Sequence, residues 1–256
     1  MTRANQKVLR LALPWLLTIA FLAVWELSCR VFHIAEFVLP APSGIAAAMV
    51  KFHEVILDSA SWTLLTTAIG FALAVVCGIV LGLAIGASSF VYSGLYPILI
   101  GFNSIPKVAL VPIFVIWFGI GTVPAVLTAF IISFFPIAVN MATGIATVEP
   151  EMQDVMRSLG ASSSEILIKI GIPRSLPYLF ASLKVAVTLA FVGSVISETI
   201  ASNRGIGFLM LAASSRFQVA LVFAGVTAVA LMGILMYAAC AFFERRMTRW
   251  AYRAKP

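Results

Sequence analysis

Residues 157–173, RSLGASSSEILIKIGIP, separate two of the most hydrophobic segments of the chain. Gly160 stands where a helix typically stops in a left-handed residue. Ser162 and Glu165 have the spacing of a capping box, which predicts that a second helix begins there. Pro173 is expected to end that second helix. The apolar positions of the second helix are Ile166, Leu167 and Ile170.

A first helix is predicted immediately upstream, because Pro150 suits the first turn of a helix and acidic residues favour its positive end. The acidic residues are Glu149, Glu151 and Asp154. The apolar residues follow the i, i+3, i+4, i+7 spacing of one helix face. They are Met152, Val155, Met156 and Leu159. Residues 144–180 therefore predict a helix–turn–helix loop, whose apolar face either folds back on its own bundle or docks into another protein.

The composition indicates a membrane protein. Of 256 residues, 62% are hydrophobic and only 11% are charged, and the mean hydropathy is +1.08. A soluble domain carries about a quarter charged residues, so this chain has too little polar surface to cover a soluble globule. The net charge of +7 fits basic cytoplasmic loops and does not call for nucleic acid. No metal site is predicted, since His33 and His53 are isolated and no two cysteines form a CxxC pair.

Six apolar segments are long enough to span a bilayer. The predicted fold class is therefore an all-α, polytopic membrane protein with about six transmembrane helices, forming one domain over 1–256 with a core at about 60–245. Residues 44–58 predict a short amphipathic helix at the outer interface. Gly78, Gly82 and Gly86 lie at four-residue spacing and predict close helix packing. The predicted spans are about 11–31, 64–87, 95–118, 122–143, 181–201 and 217–242.

The basic residues predict the orientation of these spans. With both termini in the cytoplasm, the inner segments carry eleven Lys and Arg residues, and Lys51, Arg204 and Arg216 lie outside. The same orientation places the 144–180 loop on the cytoplasmic side. The eleven inner residues are Arg3, Lys7, Arg10, Arg157, Lys169, Arg174, Arg245, Arg246, Arg249, Arg253 and Lys255.

Polar residues within the spans are candidates for a translocation path. Asn103, Ser104 and Lys107 stand beside Pro106, which breaks the helix. Lys107 either lines a path or snorkels to an interface. Glu198, at the end of the fifth span, faces a path or the outer mouth as a solvated residue, or pairs with Arg204.

The loop resembles that of permease subunits of bacterial ABC importers, whose pattern is E-A-A-x3-G-x9-I-x-L-P. Here Gly160, Ile170 and Pro173 match in register, Asp154 replaces Glu, and Ile172 replaces Leu. Val155 and Met156 replace the alanines. Further segments, over about 38–245, resemble the branch that imports nitrate, sulfonates and taurine. They are LPAPSG (39–44), IPKVALVPIFVIWFGIG (105–121), FFPIAVN (134–140), SLGAS (158–162) and RGIGFLM (204–210).

The resemblance implies a type I ABC importer permease in the bacterial cytoplasmic membrane, with no catalytic residue of its own. It implies two ATPase subunits, a second permease copy in a homodimer and an external solute-binding protein as partners. ATP and Mg would be bound by the ATPase, and the chain indeed has no GxxxxGK[ST] motif. The positions implied for ATPase coupling are Asp154, Val155, Met156, Arg157, Leu159, Gly160, Ala161 and Ser162.

Other functions remain open at this point. The solute could instead be a neutral vitamin precursor such as a pyrimidine or riboflavin. A secondary transporter would need a coupling-ion relay within the spans, where the sequence offers only scattered Lys107, Lys184 and Glu198. An intramembrane enzyme would need a base beside a nucleophile such as Ser133 or a serine of 162–164, and no histidine lies in a span.

Overall fold

The computed structural model describes the backbone of residues 3–248 and the side chains of residues 12–88 and 90–248. Every regular element in this part of the chain is helical, which confirms the all-α class. Six of the basic side chains used to predict the orientation lie outside the described ones, namely Arg3, Lys7, Arg10, Arg249, Arg253 and Lys255. The elements are α1 (Arg3–Val31), α2 (Pro42–Lys51), α3 (His53–Gly86), α4 (Ser89–Asn103), a 3₁₀ turn (Lys107–Leu110), α5 (Val111–Phe118), α6 (Thr122–Ala146), α7 (Pro150–Ser158), α8 (Ser163–Ile166), a π-helical turn (Leu167–Gly171), α9 (Ile172–Ala201), α10 (Ile206–Ser215) and α11 (Val219–Met247).

Five helical segments of the described chain are long and apolar enough to cross a bilayer. A sixth crossing is possible only if the bent pair Phe90–Asn103 and Lys107–Phe118, which turns by 78°, counts as one span. The prediction of about six spans therefore holds with the third one broken. The five segments are Ala12–Val31, His53–Gly86, Thr122–Ala146, Ser163–Ala201 and Val219–Met247.

The predicted third span, 95–118, is not a continuous helix. α4 ends at Asn103, and Pro106 leads into the 3₁₀ turn. Pro112 lies in the first turn of α5, where its missing N–H would have no helical partner in any case. Pro106 thus marks the break after α4, and Pro112 fits the start of α5. We call residues 103–107 the elbow.

The predicted amphipathic helix over 44–58 is wrong in its bounds. α2 starts earlier, at Pro42, and ends at Lys51, where the N–H of Phe52 donates to the carbonyl of Ala48 at 2.9 Å. Only Phe52 separates α2 from α3, which begins at His53. The helix therefore starts well before the span that was predicted to begin at Leu64. The apolar content had located the span, but the polar first turns of α3 concealed its start.

The prediction that Pro173 ends the second loop helix is also wrong. Helical structure runs without a gap from Ser163 to Ala201, through the π-helical turn and past Pro173. In that turn the N–H of Ile172 donates to the carbonyl of Leu167, five residues back. The wider hydrogen-bond pattern of this turn, directly before Ile172, accommodates Pro173, which has no N–H to donate.

α6 is the central helix against which α3 and α9 pack through glycines. A Cβ atom added at Gly82 of α3 would lie 2.5 Å from the Cβ of Met141, and one at Gly78 would lie 2.8 Å from Ile137. A Cβ at Gly193 of α9 would lie 2.9 Å from the carbonyl oxygen of Thr128. The close packing predicted from the glycine spacing is therefore confirmed, and it fixes both helices on α6.

The described chain forms two compact units, residues 3–58 with 209–228 and residues 59–208 with 229–248. In the first unit, Glu26 of α1 accepts hydrogen bonds from the backbone N–H and the hydroxyl of Ser43, at 3.0 and 2.7 Å. The second unit contains the loop, the elbow and Glu198. The single domain over 1–256 stays a prediction.

Candidate functional site

The loop between α6 and α9 exposes the apolar face of α7. Pro150 starts this helix and Glu149 precedes it, as predicted. Along the helix, Met152 is 39% exposed, Val155 58% and Leu159 78%. Met156 is half-buried. Apolar side chains outside a bilayer are normally covered by protein, whereas these are not. An uncovered apolar face of this kind is typical of a surface that binds another protein.

The turn after α7 has the hydrogen bonds of a Schellman motif. The N–H of Gly160 donates to the carbonyl of Arg157 at 2.9 Å, and the N–H of Ala161 donates to the carbonyl of Met156 at 3.0 Å. Gly160 has a φ of +83°, and a Cβ there would meet nothing within 4 Å. The glycine is therefore required by the backbone conformation alone, as the sequence predicted.

The capping box is confirmed and starts α8. The hydroxyl of Ser162 accepts a hydrogen bond from the N–H of Glu165 at 3.3 Å, and the Glu165 carboxylate accepts one from the N–H of Ser162 at 2.9 Å. Beyond it, Ile166 is 7% exposed, and Leu167 packs against the core cluster that contains Ile145. The second half of the loop thus folds back on its own bundle, whereas α7 in the first half does not.

One ion pair lies within α7, and another joins the start of the loop to α9. Asp154 and Arg157 of α7 pair at 3.1 Å on the exposed surface. Glu149 pairs with Arg174 of α9, and this hydrogen bond lowers the pKa of the Glu149 carboxyl. Because the lowered pKa keeps Glu149 ionised, the pair persists at neutral pH and is lost only as the pH falls through that lowered pKa.

A cleft of about 620 Å³ lies behind α7, between the loop and the adjacent ends of α3, α4 and α6. Its polar lining includes Gln153 and Arg157 of α7, whereas Met152, Val155 and Leu159 do not line it. The two sides of α7 therefore differ: one lines a cleft within the chain and the other is apolar and uncovered.

The elbow presents polar groups on the surface. Asn103 and Ser104 are exposed, and Lys107 is half-buried. The Lys107 amine donates to the carbonyl oxygen and the side-chain oxygen of Asn103, at 2.5 and 2.8 Å, and lies 5.1 Å from the centre of the Phe135 ring. Lys107 thus caps the negative end of α4, so its charge already has a partner within the chain.

Glu198 is enclosed, with 1% of its surface exposed. The carboxylate accepts hydrogen bonds from the hydroxyl of Thr63 at 2.8 Å, from the N–H of Gly207 at 3.1 Å and from the hydroxyl of Thr66 at 3.3 Å. The prediction of a solvated mouth residue is wrong, because protein surrounds the side chain. The pairing with Arg204 is wrong as well, since the Arg204 guanidinium lies over the Trp62 ring at 5.1 Å.

Sequence reasoning missed the residues that surround Glu198. Thr63, Thr66 and Ser194 are fully buried, and the hydroxyls of Thr66 and Ser194 are 2.6 Å apart. One signal was available: Thr63, Thr66 and Thr67 follow helical spacing inside an otherwise apolar span. A polar stripe of that kind needs buried partners.

No group of three or more His, Cys, Asp or Glu side chains in the described part of the chain lies close enough to hold a metal ion. The described chain thus combines apolar membrane-length helices with an exposed apolar face on α7, a polar elbow and a buried polar contact between helices.

Residues 74–249 match the family described as binding-protein-dependent transport system inner membrane component, and the chain belongs to that family. It is 30% identical to the formylaminopyrimidine transport permease protein ThiX of Halalkalibacterium halodurans, over 93% of this chain and 95% of that protein. It is also 30% identical to the taurine transport system permease protein TauC of Escherichia coli, over 90% and 86%.

The fold is similar to that of a solved structure of the MetNI methionine ABC transporter in an inward-facing conformation. The TM-score is 0.68 at 16% identity, over 77% of this chain and 98% of that chain. The protein is thus a membrane-spanning permease subunit of an ABC importer, with a type I permease fold. It is a multi-pass inner-membrane transport subunit and not an enzyme, and its family implies an ATPase and a binding protein as partners.

Proposed function

We propose that the uncovered face of α7 docks into a groove on the partner ATPase and couples ATP hydrolysis to transport. The observation that carries this proposal is the exposure of Val155 and Leu159, at 58% and 78%, on a helix whose other side lines a cleft within the chain. Apolar area of this kind supplies the affinity. Asp154 and Arg157 fix the register, and the Gly160 turn with Ala161 and the Ser162 cap sets the direction of α7.

The importer we propose contains two copies of this permease, two ATPases and one external binding protein. ATP and Mg bind to the ATPases, and both termini of the permease and the 144–180 loop lie in the cytoplasm. The basic residues of the loop, Arg157, Lys169 and Arg174, support this orientation.

The elbow supports a second permease copy. Non-helical backbone at membrane depth is tolerated only where protein or a water-filled cavity covers it. Asn103 and Ser104 are exposed at the break between two apolar helices, so they need such a cover. In our proposal the elbows of two copies line the translocation path from opposite sides. Glu198 is enclosed in this structure and takes no part in that lining.

The solute we propose is a small nitrogen or sulfur compound of the taurine, sulfonate or nitrate type. A neutral vitamin precursor is the second candidate, because a relative named for formylaminopyrimidine is as similar to this chain as the one named for taurine. The Lys107 amine already donates to two oxygens of Asn103, so its presence at the elbow does not by itself favour an anion. The ligand that co-purifies with the cognate binding protein decides between the two.

Photo-crosslinking tests the docking proposal. A photoreactive amino acid in place of Val155 is expected to crosslink to the ATPase in membranes that contain the whole importer. The same amino acid in place of Ile234 of α11, which is 63% exposed, is the matched control and should not. Docking through α7 would be refuted by an ATPase crosslink from the control position alone.

Lys107→Ala tests the path proposal. If the elbow lines the path, loss of the cap on α4 should alter the uptake kinetics while the ATPase still co-purifies with the permease. Uptake kinetics equal to those of the wild type would place the path elsewhere.

A further inference from the structure

One helical segment without a gap runs from the 144–180 loop to Ala201, through the π-helical turn and past Pro177. We call this segment the rod. α8, the π-helical turn and α9 together span 39 residues, Ser163–Ala201. At 1.5 Å per residue the rod is about 58 Å long, which is more than the roughly 40–45 Å thickness of a membrane with its headgroups. Its first turn is fixed by the capping box of Ser162 and Glu165, and Glu198 lies in its last turn.

At its far end the rod is tied to a turn of the chain and to α3. Glu198 accepts the N–H of Gly207 at 3.1 Å and the hydroxyl of Thr63 at 2.8 Å. The same Thr63 hydroxyl accepts the N–H of Ile206 at 2.8 Å. One buried hydroxyl and one buried carboxylate thus join α9, α3 and residues 202–207, which are the turn after α9 and the first two residues of α10. We call this set of contacts the Glu198 junction.

Two glycines let the turn approach the junction. Gly205 has a φ of +97°, and a Cβ there would collide with the Glu198 carboxylate. A Cβ at Gly207 would collide with the carbonyl oxygen of Val195. Outside the junction, Arg204 lies over the Trp62 ring at 5.1 Å and adds a second contact between the turn and α3. The turn is therefore held directly on the end of the rod.

We propose that Glu198 and Thr63 are positioning residues that lock the 202–207 turn to the rod. Movement of the coupling loop is then delivered to that turn at the outer end of the permease. The inference rests on the proposed coupling role of the loop and the proposed orientation. It goes beyond them by naming the element that carries the movement and the contacts that deliver it.

The protein offers a matched set of variants for this proposal. Thr63→Val keeps the shape of the side chain and removes the hydrogen bonds of the hydroxyl to Glu198, from the Ile206 N–H and to the carbonyl of Ser59. Thr63→Ser keeps the hydroxyl. Glu198→Gln keeps the shape of the side chain but replaces one accepting carboxylate oxygen with an amide N–H₂, which itself donates. That group then faces donors such as the Thr63 hydroxyl and the Gly207 N–H. The control is Thr128→Val, because Thr128 is equally buried and its hydroxyl donates only to Pro124 of its own helix, at 2.7 Å.

The readout is the reactivity of an N203C variant in the complete importer, reconstituted in proteoliposomes with its ATPase and binding protein. Asn203 is exposed in the turn, and a membrane-impermeant maleimide labels it from one side only. The importer without N203C gives the background from Cys29, Cys77 and Cys240. Labelling rates are compared with and without ATP and Mg.

We expect ATP to change the labelling rate at N203C in the wild-type background and in Thr128→Val. In Thr63→Val most of that ATP-dependent change should be lost, because the hydroxyl that joins the turn to α3 and to Glu198 is gone. Thr63→Ser should restore it, and Glu198→Gln should give an intermediate response. A role in folding alone would lower the yield without altering the ATP response of the assembled importer.

An unchanged ATP response in Thr63→Val and Glu198→Gln would overturn the proposal, and so would an equal loss in Thr128→Val. The proposal would also be overturned if the assembled importer that carries N203C alone shows no change of labelling with ATP. If that importer still takes up solute with ATP, the proposed function stands. Labelling of N203C only from the ATPase side would instead contradict the proposed orientation.

Discussion

The exposed Leu159 gives the sharpest quantitative prediction. Leu159→Ala removes three carbon groups, each worth about 0.8 kcal/mol when it is buried. Since 78% of Leu159 is exposed in the free chain, nearly all of that burial is available to the interface. The predicted loss is about 2 kcal/mol, or roughly 25-fold in affinity for the ATPase.

The assay is titration of the ATPase onto the permease in lipid nanodiscs without nucleotide. The stability of the permease itself should change by no more than about 0.5 kcal/mol, because the side chain has little contact to lose. Ile116→Ala on α5, where Ile116 is 80% exposed, is the matched control and should leave the affinity unchanged. Equal affinities for Leu159→Ala and the wild type would refute docking through this face.

Three further changes test the local structure. Gly160→Val should uncouple ATP hydrolysis from transport without loss of membrane insertion, because a left-handed residue with a Cβ costs about 1–2 kcal/mol. Gly160→Asn should retain coupling, since Asn tolerates that conformation. Equal uptake per ATP in both variants would contradict the role of the turn. Glu165→Ala should cost about 1 kcal/mol, because its carboxylate no longer accepts the hydrogen bond from the Ser162 N–H. The measurement is amide exchange over 163–166, which should become faster, with Ser164→Ala as the control. Unchanged exchange would mean that the capping box contributes little. Gly82→Leu should lower the stability of the permease by about 1–3 kcal/mol, because the new side chain collides with Met141. Gly94→Leu should not, since a Cβ there meets nothing within 4 Å. Thermal unfolding measures both, and equal melting temperatures would argue against close packing of α3 on α6.

The loop was predictable because its determinants are local. The left-handed Gly160 and the capping box from Ser162 to Glu165 each involve residues within a few positions of one another, and both were found as predicted. The apolar period of α7 was equally visible. Which part of the loop stays uncovered required the structure, since the burial of Ile166 depends on packing against distant helices.

The errors arose where the local sequence pattern is compatible with more than one structure. Pro173 reads locally as a helix end, yet the π-helical turn before it lets the helix continue. Glu198 reads as a mouth residue, yet its partner Thr63 is 135 positions away in the sequence. The sequence alone shows the polar stripe of α3 but does not reveal which distant residue this stripe faces.

ATP-dependent uptake is the most direct measurement of what this protein does. The permease is reconstituted in proteoliposomes with the ATPase and the binding protein, and uptake of the solute bound by that binding protein is followed with and without ATP. We predict uptake only when all three proteins and ATP are present, with none from the permease alone. Uptake by the permease alone, driven by a solute or ion gradient and indifferent to ATP, would contradict this function and indicate a secondary transporter.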